Sequence, residues 1–249
     1  AKKMDKIKLD EVKSSSRITP KIAFAPGKKM HRQALELENL GHGFDGEVLF
    51  EQGDLLLKAG TKLAIIGENG VGKTTFLRCL MSELTNNEGV IKWSENASVG
   101  YCPQDSGALF DNDLTLMDWM SQWRRPCHND LSVRGMLGRL LFTDDDANKK
   151  ARNCSGGEKK RLLFGKLLMD DINVLIMDEP TNHMDIEAID ALNNALKLFE
   201  GTLIFVSHDR EFVSSLATRI IDIEDKKLVN FEGSLDEYLS SQITSQKVA

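Results

Sequence analysis

Hydrophobic and polar positions alternate from residue 35 onward, and this pattern predicts β-strands. Residues 35–40 read LELENL, residues 41–46 read as a turn region, and apolar runs follow at 55–57 and 63–66. Residues 73–82 instead place Phe76, Leu77 and Leu80 at helical spacing. Strand patterns return at 89–93 and 98–101. A strand, a glycine-rich loop and a helix therefore follow one another in this part of the chain.

The pattern changes between residues 105 and 153, where Leu, Met and Trp recur at helical spacing. We interpret this stretch as an inserted helical subdomain. Helix and strand then alternate, with helices predicted over 155–169 and 186–198 and strands over 173–177 and 202–206. We predict a final helix over 210–216 and closing strands near 220–223 and 228–231. This alternation predicts an α/β domain over residues 33–249, with a mostly parallel sheet and helices on both faces.

Residues 1–32 differ from the rest in composition and charge. Ile7, Leu9 and Val12 stand among basic residues, which suits a weakly amphipathic helix, and Pro20, Pro26 and Gly27 break any helix after it. We interpret residues 1–32 as the tail of a basic interdomain linker. This segment has a net charge of +7, and the remainder of the chain has −13. Such a segment suits a polyanion such as a phosphate backbone, although a merely solvated helix face remains open.

Composition narrows the class of protein further. The chain has 249 residues, of which 41% are hydrophobic, enough for one large domain with a buried core. No run approaches the roughly 18 apolar residues of a membrane-spanning helix, and the first residues lack the apolar centre of a signal peptide. We therefore expect a cytoplasmic protein. The four cysteines are far apart in the sequence, so we expect reduced thiols and no structural zinc.

Eight consecutive residues match the P-loop pattern G-x-x-x-x-G-K-[ST]. They are Gly67, Glu68, Asn69, Gly70, Val71, Gly72, Lys73 and Thr74, and Thr75 follows them. The glycines let backbone N–H groups face phosphate oxygens at the positive end of the next helix. Lys73 is expected to reach the β and γ phosphates of ATP, and Thr74 to bind Mg²⁺. A glycine turn with a chance lysine is the alternative.

Two further segments carry candidate chemistry. An apolar strand ends at Asp178 and Glu179, where Asp178 could hold Mg²⁺ and Glu179 could polarise the water that attacks the γ-phosphate. A second anion site is predicted where a helix begins after Cys154. Its residues are Ser155, Gly156, Gly157 and Glu158. Taken alone, the first segment could be an ordinary strand end and the second an ordinary capped helix.

The order of these motifs resembles the ATP-binding cassette (ABC) superfamily over residues 35–239. The resemblance implies a P-loop NTPase fold of ABC type, with an N-terminal antiparallel β subdomain. It also implies that two such domains face each other head to tail, so that the SGGE signature of one completes the γ-phosphate site of the other. The signature usually begins with Leu, and Cys154 occupies that place, where we expect a buried thiol rather than a redox sensor.

The same resemblance assigns roles to residues outside the P-loop. Gln104 resembles the glutamine that contacts Mg²⁺ and the attacking water, and His208 resembles the histidine that contacts the γ-phosphate. Asp185 occupies the D-loop position. Phe44 resembles the aromatic residue that stacks on adenine, although a core aromatic is the alternative.

Residues 178–185, DEPTNHMD, resemble the EPTNHLD form of ABC-F proteins. Residues 111–123 and 206–220 are similar to the bacterial YbiT subgroup. This resemblance implies the second ATPase domain of a ribosome-associated translation factor, with its linker near tRNA or rRNA. The partner is then a second ABC domain, either the missing N-terminal half or another copy of the chain, and the isolated domain hydrolyses ATP weakly. An ATP-binding subunit of an ABC transporter and a module that holds ATP without hydrolysis remain alternatives.

Overall fold

The computed structural model describes residues 19–25 and 27–246. The helix predicted around Ile7, Leu9 and Val12 lies outside the described residues. Within them the strands are β1 (Gln33–Phe44), β2 (Glu47–Lys58), β3 (Lys62–Ile66), β4 (Glu88–Trp93), β5 (Val99–Cys102), β6 (Val174–Asp178), β7 (Thr202–Val206), β8 (Arg219–Glu224) and β9 (Lys227–Glu232). The helices are α1 (Lys73–Leu80), α2 (Gly107–Phe110), α3 (Leu116–Ser121), α4 (Asp130–Arg139), α5 (Gly156–Leu168), α6 (Ile186–Leu198), α7 (Arg210–Leu216) and α8 (Leu235–Gln246).

The strands form one sheet in the order β4-β1-β2-β9-β8-β3-β7-β6-β5. The five strands from β8 to β5 pair in parallel, whereas β1 pairs antiparallel with both β2 and β4. This arrangement confirms the predicted α/β class, with a mostly parallel core and antiparallel N-terminal strands. The predicted turn over 41–46 is shorter than expected, because β1 continues to Phe44 and the chain turns at Asp45 and Gly46.

The central strands are buried on both faces, which explains why they read as continuous apolar runs rather than alternating ones. β6 and β7 are buried at every position, and β3 at all but its last residue. One core layer packs α1 against β1, β2 and β3, and the other packs α3 to α7 on the opposite side. Parallel strands between two helical layers point their carboxyl ends to one edge, where α/β proteins place ligand sites.

The prediction that residues 210–216 form the final helix is wrong. Their bounds match α7, but α8 follows the closing strands. The sequence holds a capping box that marks this helix: Ser234 Oγ accepts a hydrogen bond from Glu237 N, and Glu237 Oε2 accepts one from Ser234 N. α8 is held to the sheet by Tyr238, whose hydroxyl donates to Asp222 Oδ2 at 2.8 Å. Leu235, Tyr238 and Leu239 pack on the core at helical spacing, so the sequence held a periodic signal for this helix as well as the capping box.

Residues 19–25 and 27–32, here called the strap, lie against the domain without forming a helix or a strand. Lys21 N donates to Arg139 O at the end of α4. Ile22 is buried in the core, and the Phe24 ring packs edge-to-face on Phe199 with centroids 5.6 Å apart. The strap therefore joins the helical segment 105–153 to the sheet. Its assignment to a linker, and the domain boundary at residue 33, stay predictions.

Asn173 anchors the second half of the strap. Its Nδ2 donates to Lys28 O and to Asn96 O, both at 2.7 Å, and its Oδ1 accepts from Ser98 N at 2.8 Å. The residue is 4% exposed and immediately precedes β6. One buried amide thus ties the strap to the β4–β5 connection and to the central sheet.

Candidate active site

The loop between β3 and α1 has the curled backbone that its glycines predicted. Gly67, Gly70 and Gly72 have φ of 135°, 83° and 112°, a region that other residues avoid. A Cβ on Gly67 would lie 2.9 Å from Ile223 O, and one on Gly72 would lie 3.2 Å from Leu49 Cβ. Glycine is therefore required at both positions by conformation and by space.

The first turn of α1 leaves its backbone donors available for an anion. Gly72 is the N-cap, no side chain caps the helix, and no acidic residue occupies the first turn. Unsatisfied N–H groups and the helix dipole both favour negative charge there. Lys73 Nζ lies across the loop, donating to Gly67 O at 2.8 Å and to Glu68 O at 2.7 Å. Burial lowers the pKa of Lys73, although nearby carboxylates oppose this shift.

Asp178 ends β6 as a fully buried carboxylate. Neither of its oxygens has a hydrogen bond of ordinary geometry to a described residue. Burial raises the pKa of Asp178, while the hydroxyl of Thr74 and the charges of Lys160 and Lys73 lower it. A buried carboxylate with free oxygens beside a hydroxyl fits Mg²⁺, which prefers oxygen ligands. The residues present are therefore compatible with the predicted metal.

Glu179 is held in an unusual backbone conformation beside this carboxylate. Its φ is 46°, and its N–H donates to Val206 O at 2.9 Å. Its Oε2 accepts from His208 N at 3.3 Å, and its Oε1 lies 3.4 Å from His208 Nε2. Burial raises the pKa of Glu179, and the contacts with His208 oppose that shift. Strained backbone of this kind is common at functional sites.

These side chains line one cavity of about 230 Å³. This volume is below the roughly 300–1,000 Å³ of complete small-molecule pockets and suits the phosphate end of a nucleotide. The lining residues are Asn69, Gly70, Gly72, Lys73, Thr74, Thr75, Gln104, Asp178, Glu179, Val206 and His208. Gln104 follows β5 and also borders a neighbouring cavity of about 640 Å³. Gly67, Glu68 and Val71 belong to the same loop without lining the cavity.

The predicted signature residues lie apart from this cavity. Ser155 caps α5: its Oγ accepts from Glu158 N at 3.3 Å, and Glu158 Oε2 accepts from Ser155 N at 2.7 Å. Lys149 pairs with Glu158 at 2.8 Å. Gly156 and Gly157 pack beside His183, so a Cβ on Gly157 would lie 2.9 Å from His183 O.

Asp185 and Phe44 also lie outside the cavity. Asp185 caps α6, where its carboxylate accepts from Ala188 N at 2.8 Å. Phe44 ends β1 and is 48% exposed. Leu49 and Phe50 of β2 lie against Gly72, so the β1–β2 hairpin that carries Phe44 contacts the P-loop.

The expectation that Cys154 is a buried thiol is confirmed. It is 7% exposed within the core, and burial raises its pKa. All four cysteines are free. A thiol with a raised pKa reacts slowly, which agrees with a packing role.

Lys160 is a buried cation near Asp178 that the sequence did not lead us to expect. It is 5% exposed on α5, its Nζ donates to Pro103 O at 3.1 Å, and its charge lowers the pKa of Asp178. Leu163, Phe164 and Leu167 follow it at the spacing of one helix face. A lysine on the apolar face of a predicted helix is unusual, and this feature of the sequence could have identified Lys160.

Comparison with known proteins agrees with this geometry. Residues 50–182 match the family model described as ABC transporter. The chain belongs to the ABC family. An ABC domain binds ATP, and the family in general hydrolyses it. Among the described residues, none of the helices is long and apolar enough to cross a membrane.

The relatives of this ABC domain include F-family proteins. The chain is 55% identical over 242 residues to the probable ATP-binding protein YbiT of Escherichia coli O157:H7, covering 97% of this chain and 46% of that protein. It is 33% identical to ABC transporter F family member 5 of Arabidopsis thaliana, covering 98% of this chain and 36% of that protein. These relatives confirm the resemblance to an ABC-F nucleotide-binding domain. The chain spans less than half the length of these curated relatives.

Solved structures share the fold of this ABC domain. A bacterial Atm1-family ABC exporter with ATP bound matches with a TM-score of 0.73 at 20% identity, over 92% of this chain and 45% of that one. A nucleotide-free ATP-binding cassette from an ABC transporter matches with a TM-score of 0.66 at 20% identity, over 84% and 95%. At this identity the likeness concerns the fold alone, and it confirms the ABC-type architecture.

Proposed function

We propose that this chain is the second ATPase domain of an ABC-F factor that closes on ATP with another ABC domain while bound to the ribosome. The main observation that supports ATP hydrolysis is the cavity beside the P-loop. It brings Lys73, Asp178, Glu179 and His208 together, although they come from three separate parts of the sequence. A phosphate cradle, a carboxylate suited to a metal and a candidate base are the parts that phosphoryl transfer to water needs.

The loop N–H groups and Lys73 hold the phosphates, and Thr74 and Asp178 hold Mg²⁺. When bound, the metal neutralises charge on the β and γ phosphates. Phe44 offers an exposed aromatic face to the adenine ring. Gln104 borders the cavity, where its amide can orient the attacking water.

Glu179 acts as the general base. Burial raises the pKa of Glu179, so its carboxylate is a stronger proton acceptor than that of an ordinary glutamate. The water oxygen bonds to the γ phosphorus, its proton passes to Glu179, and the bond to the ADP oxygen breaks. His208, whose Nε2 lies 3.4 Å from Glu179 Oε1, orients the base and contacts the γ-phosphate.

The site is completed by a second domain. Ser155 and Gly156 are exposed and lie outside the P-loop cavity, and Asp185 is exposed at the start of α6. This separation supports head-to-tail pairing, in which the signature of one domain binds the γ-phosphate held by the other. The upstream half of a longer protein is the natural partner, because this chain covers only 46% of YbiT and 36% of the Arabidopsis relative. A second copy of the chain is the partner in isolation.

The ribosomal role rests on the F-family relatives and on the basic residues 1–32. Lysines and arginines at this density bind phosphate backbones with little sequence preference, so contacts to tRNA or rRNA should weaken with salt. This role also requires a cytoplasmic protein.

The test is ATP-dependent co-sedimentation with ribosomes. This chain is joined to its upstream half, and Gln replaces Glu179 and its counterpart. Retention with ATP but not with ADP supports the proposal, and raising the salt should release the protein. A matched Lys73→Ala variant should not be retained. Absence from the ribosome in a protein shown to close on ATP would refute the ribosomal role.

A transporter subunit is the second candidate, because the matched family model is described as ABC transporter. It predicts ATPase activity that responds to a co-encoded membrane subunit and not to ribosomes. If the chain is a module that binds ATP without hydrolysing it, Glu179→Gln should leave the rate of phosphate release unchanged. Measuring phosphate release with each addition separates these three functions.

A further inference from the structure

Four rings form a continuous aromatic column between the tip of β1 and the P-loop helix. The column consists of Phe44, His42, Phe50 and Phe76. Phe44 packs edge-to-face on His42, with centroids 4.8 Å apart and planes at 87°. His42 lies 6.3 Å from Phe50, and Phe50 packs edge-to-face on Phe76 at 5.5 Å. These distances lie within the range in which aromatic rings attract one another.

The column is anchored at its inner end and exposed at its outer end. Phe50 and Phe76 are fully buried, and Phe76 lies on α1 directly after the P-loop. Phe50 also contacts the loop itself, since a Cβ on Gly72 would lie 3.5 Å from its Cδ1. Phe44, in contrast, is 48% exposed. Phe44 joins the column through its contact with His42.

His42 takes part in the column through the contacts of its ring, whereas its two ring nitrogens form no hydrogen bond within the described residues. It is 6% exposed and pairs with Phe50 across the β1–β2 hairpin. Neither Nδ1 nor Nε2 has a hydrogen-bond partner among the described residues. Burying such groups without partners is costly and uncommon, so the ring's contacts with Phe44 and Phe50 must offset that cost.

We propose that His42 is a positioning residue that fixes Phe44 relative to the P-loop, so that a nucleotide base stacks on Phe44 while the phosphates occupy the loop. This inference rests on the proposed role of Phe44 in binding the base. The column makes the aromatic face and the phosphate cradle parts of one rigid unit, because its inner end is packed on α1.

The test compares a ligand that has a base with one that has none. Binding of ATP and of inorganic tripolyphosphate to the 249-residue chain is measured by calorimetry in the presence of Mg²⁺. His42→Leu keeps an apolar side chain but removes the ring. It should weaken ATP binding by about threefold to tenfold, the range for one aromatic pair, and leave tripolyphosphate binding unchanged.

Two further variants separate the positioning role from a general effect on folding. His42→Phe keeps an aromatic ring and removes the unpartnered nitrogens, so it should restore ATP affinity to the unmodified level. In a Phe44→Ala background, His42→Leu should add nothing, since no ring remains to be positioned. A Phe44→Ala variant alone should show the selective loss of ATP affinity.

The outcomes distinguish an error about the base contact of Phe44 from an error about the positioning role of His42. If Phe44→Ala does not change ATP affinity, the proposed base contact is wrong and the role of His42 falls with it. If Phe44→Ala weakens ATP binding but His42→Leu does not, the base contact stands and the positioning role is overturned. If His42→Leu weakens both ligands equally, His42 only supports the hairpin, and the inference is also overturned.

Discussion

Replacing Asp178 with Asn should stabilise this protein while impairing its use of Mg²⁺. The carboxylate is fully buried and has no hydrogen bond of ordinary geometry within the described part of the chain. A buried charge in this position costs free energy unless a metal or another partner compensates it. The nearly isosteric amide removes the charge and keeps the shape.

The size of the effect follows from two opposing contributions. Removing the buried charge relieves a desolvation penalty of about 1–3 kcal/mol, although the amide that replaces it is still a buried polar group. The charges of Lys160, Lys73 and His208 already offset part of that cost, so we expect the lower half of this range. For a domain of this size, about 1–2 kcal/mol raises Tm by roughly 2–8 °C.

The assay is thermal unfolding followed by circular dichroism, without nucleotide and with a metal chelator. Because burial raises the pKa of Asp178, its penalty is complete above the folded pKa and disappears below the ordinary value of 3.8. The gain in Tm should therefore shrink as the pH falls towards 3.8. Asp144→Asn is the control, since that carboxylate is 95% exposed and its ion pair with Arg134 is long. An unchanged or lower Tm for Asp178→Asn, or a gain that does not vary with pH, would refute the reasoning.

Four other outcomes can be checked. Lys73→Ala should weaken ATP binding in calorimetry by about tenfold to a hundredfold, the worth of charge-assisted hydrogen bonds, and unchanged affinity would overturn its assignment. Glu179→Gln should keep ATP affinity and abolish phosphate release. In the unmodified enzyme, turnover should fall with decreasing pH at a higher pH than for a glutamate of ordinary pKa 4.5, because burial raises the pKa of this base. The isolated chain should hydrolyse ATP slowly, with a specific rate that rises with protein concentration as homodimers form, whereas a constant specific rate would exclude that route.

The sequence predicted the elements whose signals are local and strong. The bounds of α6, β7 and α7 match the structure, because caps or fully apolar runs mark them. The P-loop followed from three glycines and a lysine at fixed spacing. The convergence of Gln104 and His208 on this loop followed from resemblance, since no local pattern states which strands are neighbours.

The remaining features depend on contacts between distant residues. Lys160 approaches Asp178 only because α5 packs across the sheet, and no local pattern links Tyr238 of α8 to its partner Asp222 on β8. Asn173 binds Lys28, 145 residues away in sequence. The aromatic column likewise requires the hairpin and α1 to meet. Periodicity reports which face of an element is buried, but not what covers that face.

The strap has a mechanical consequence for whatever precedes it in the chain. Its first anchor is the hydrogen bond between Lys21 and Arg139 at the end of α4, and its second is the amide of Asn173 beside the sheet. Any tilt of α4 against the sheet would change the distance between these anchors, so the two hydrogen bonds restrain the position of α4. A force on the strap from its N-terminal side would therefore reach α4 through Lys21 before it reaches Asn173 and β6, the strand that ends at Asp178.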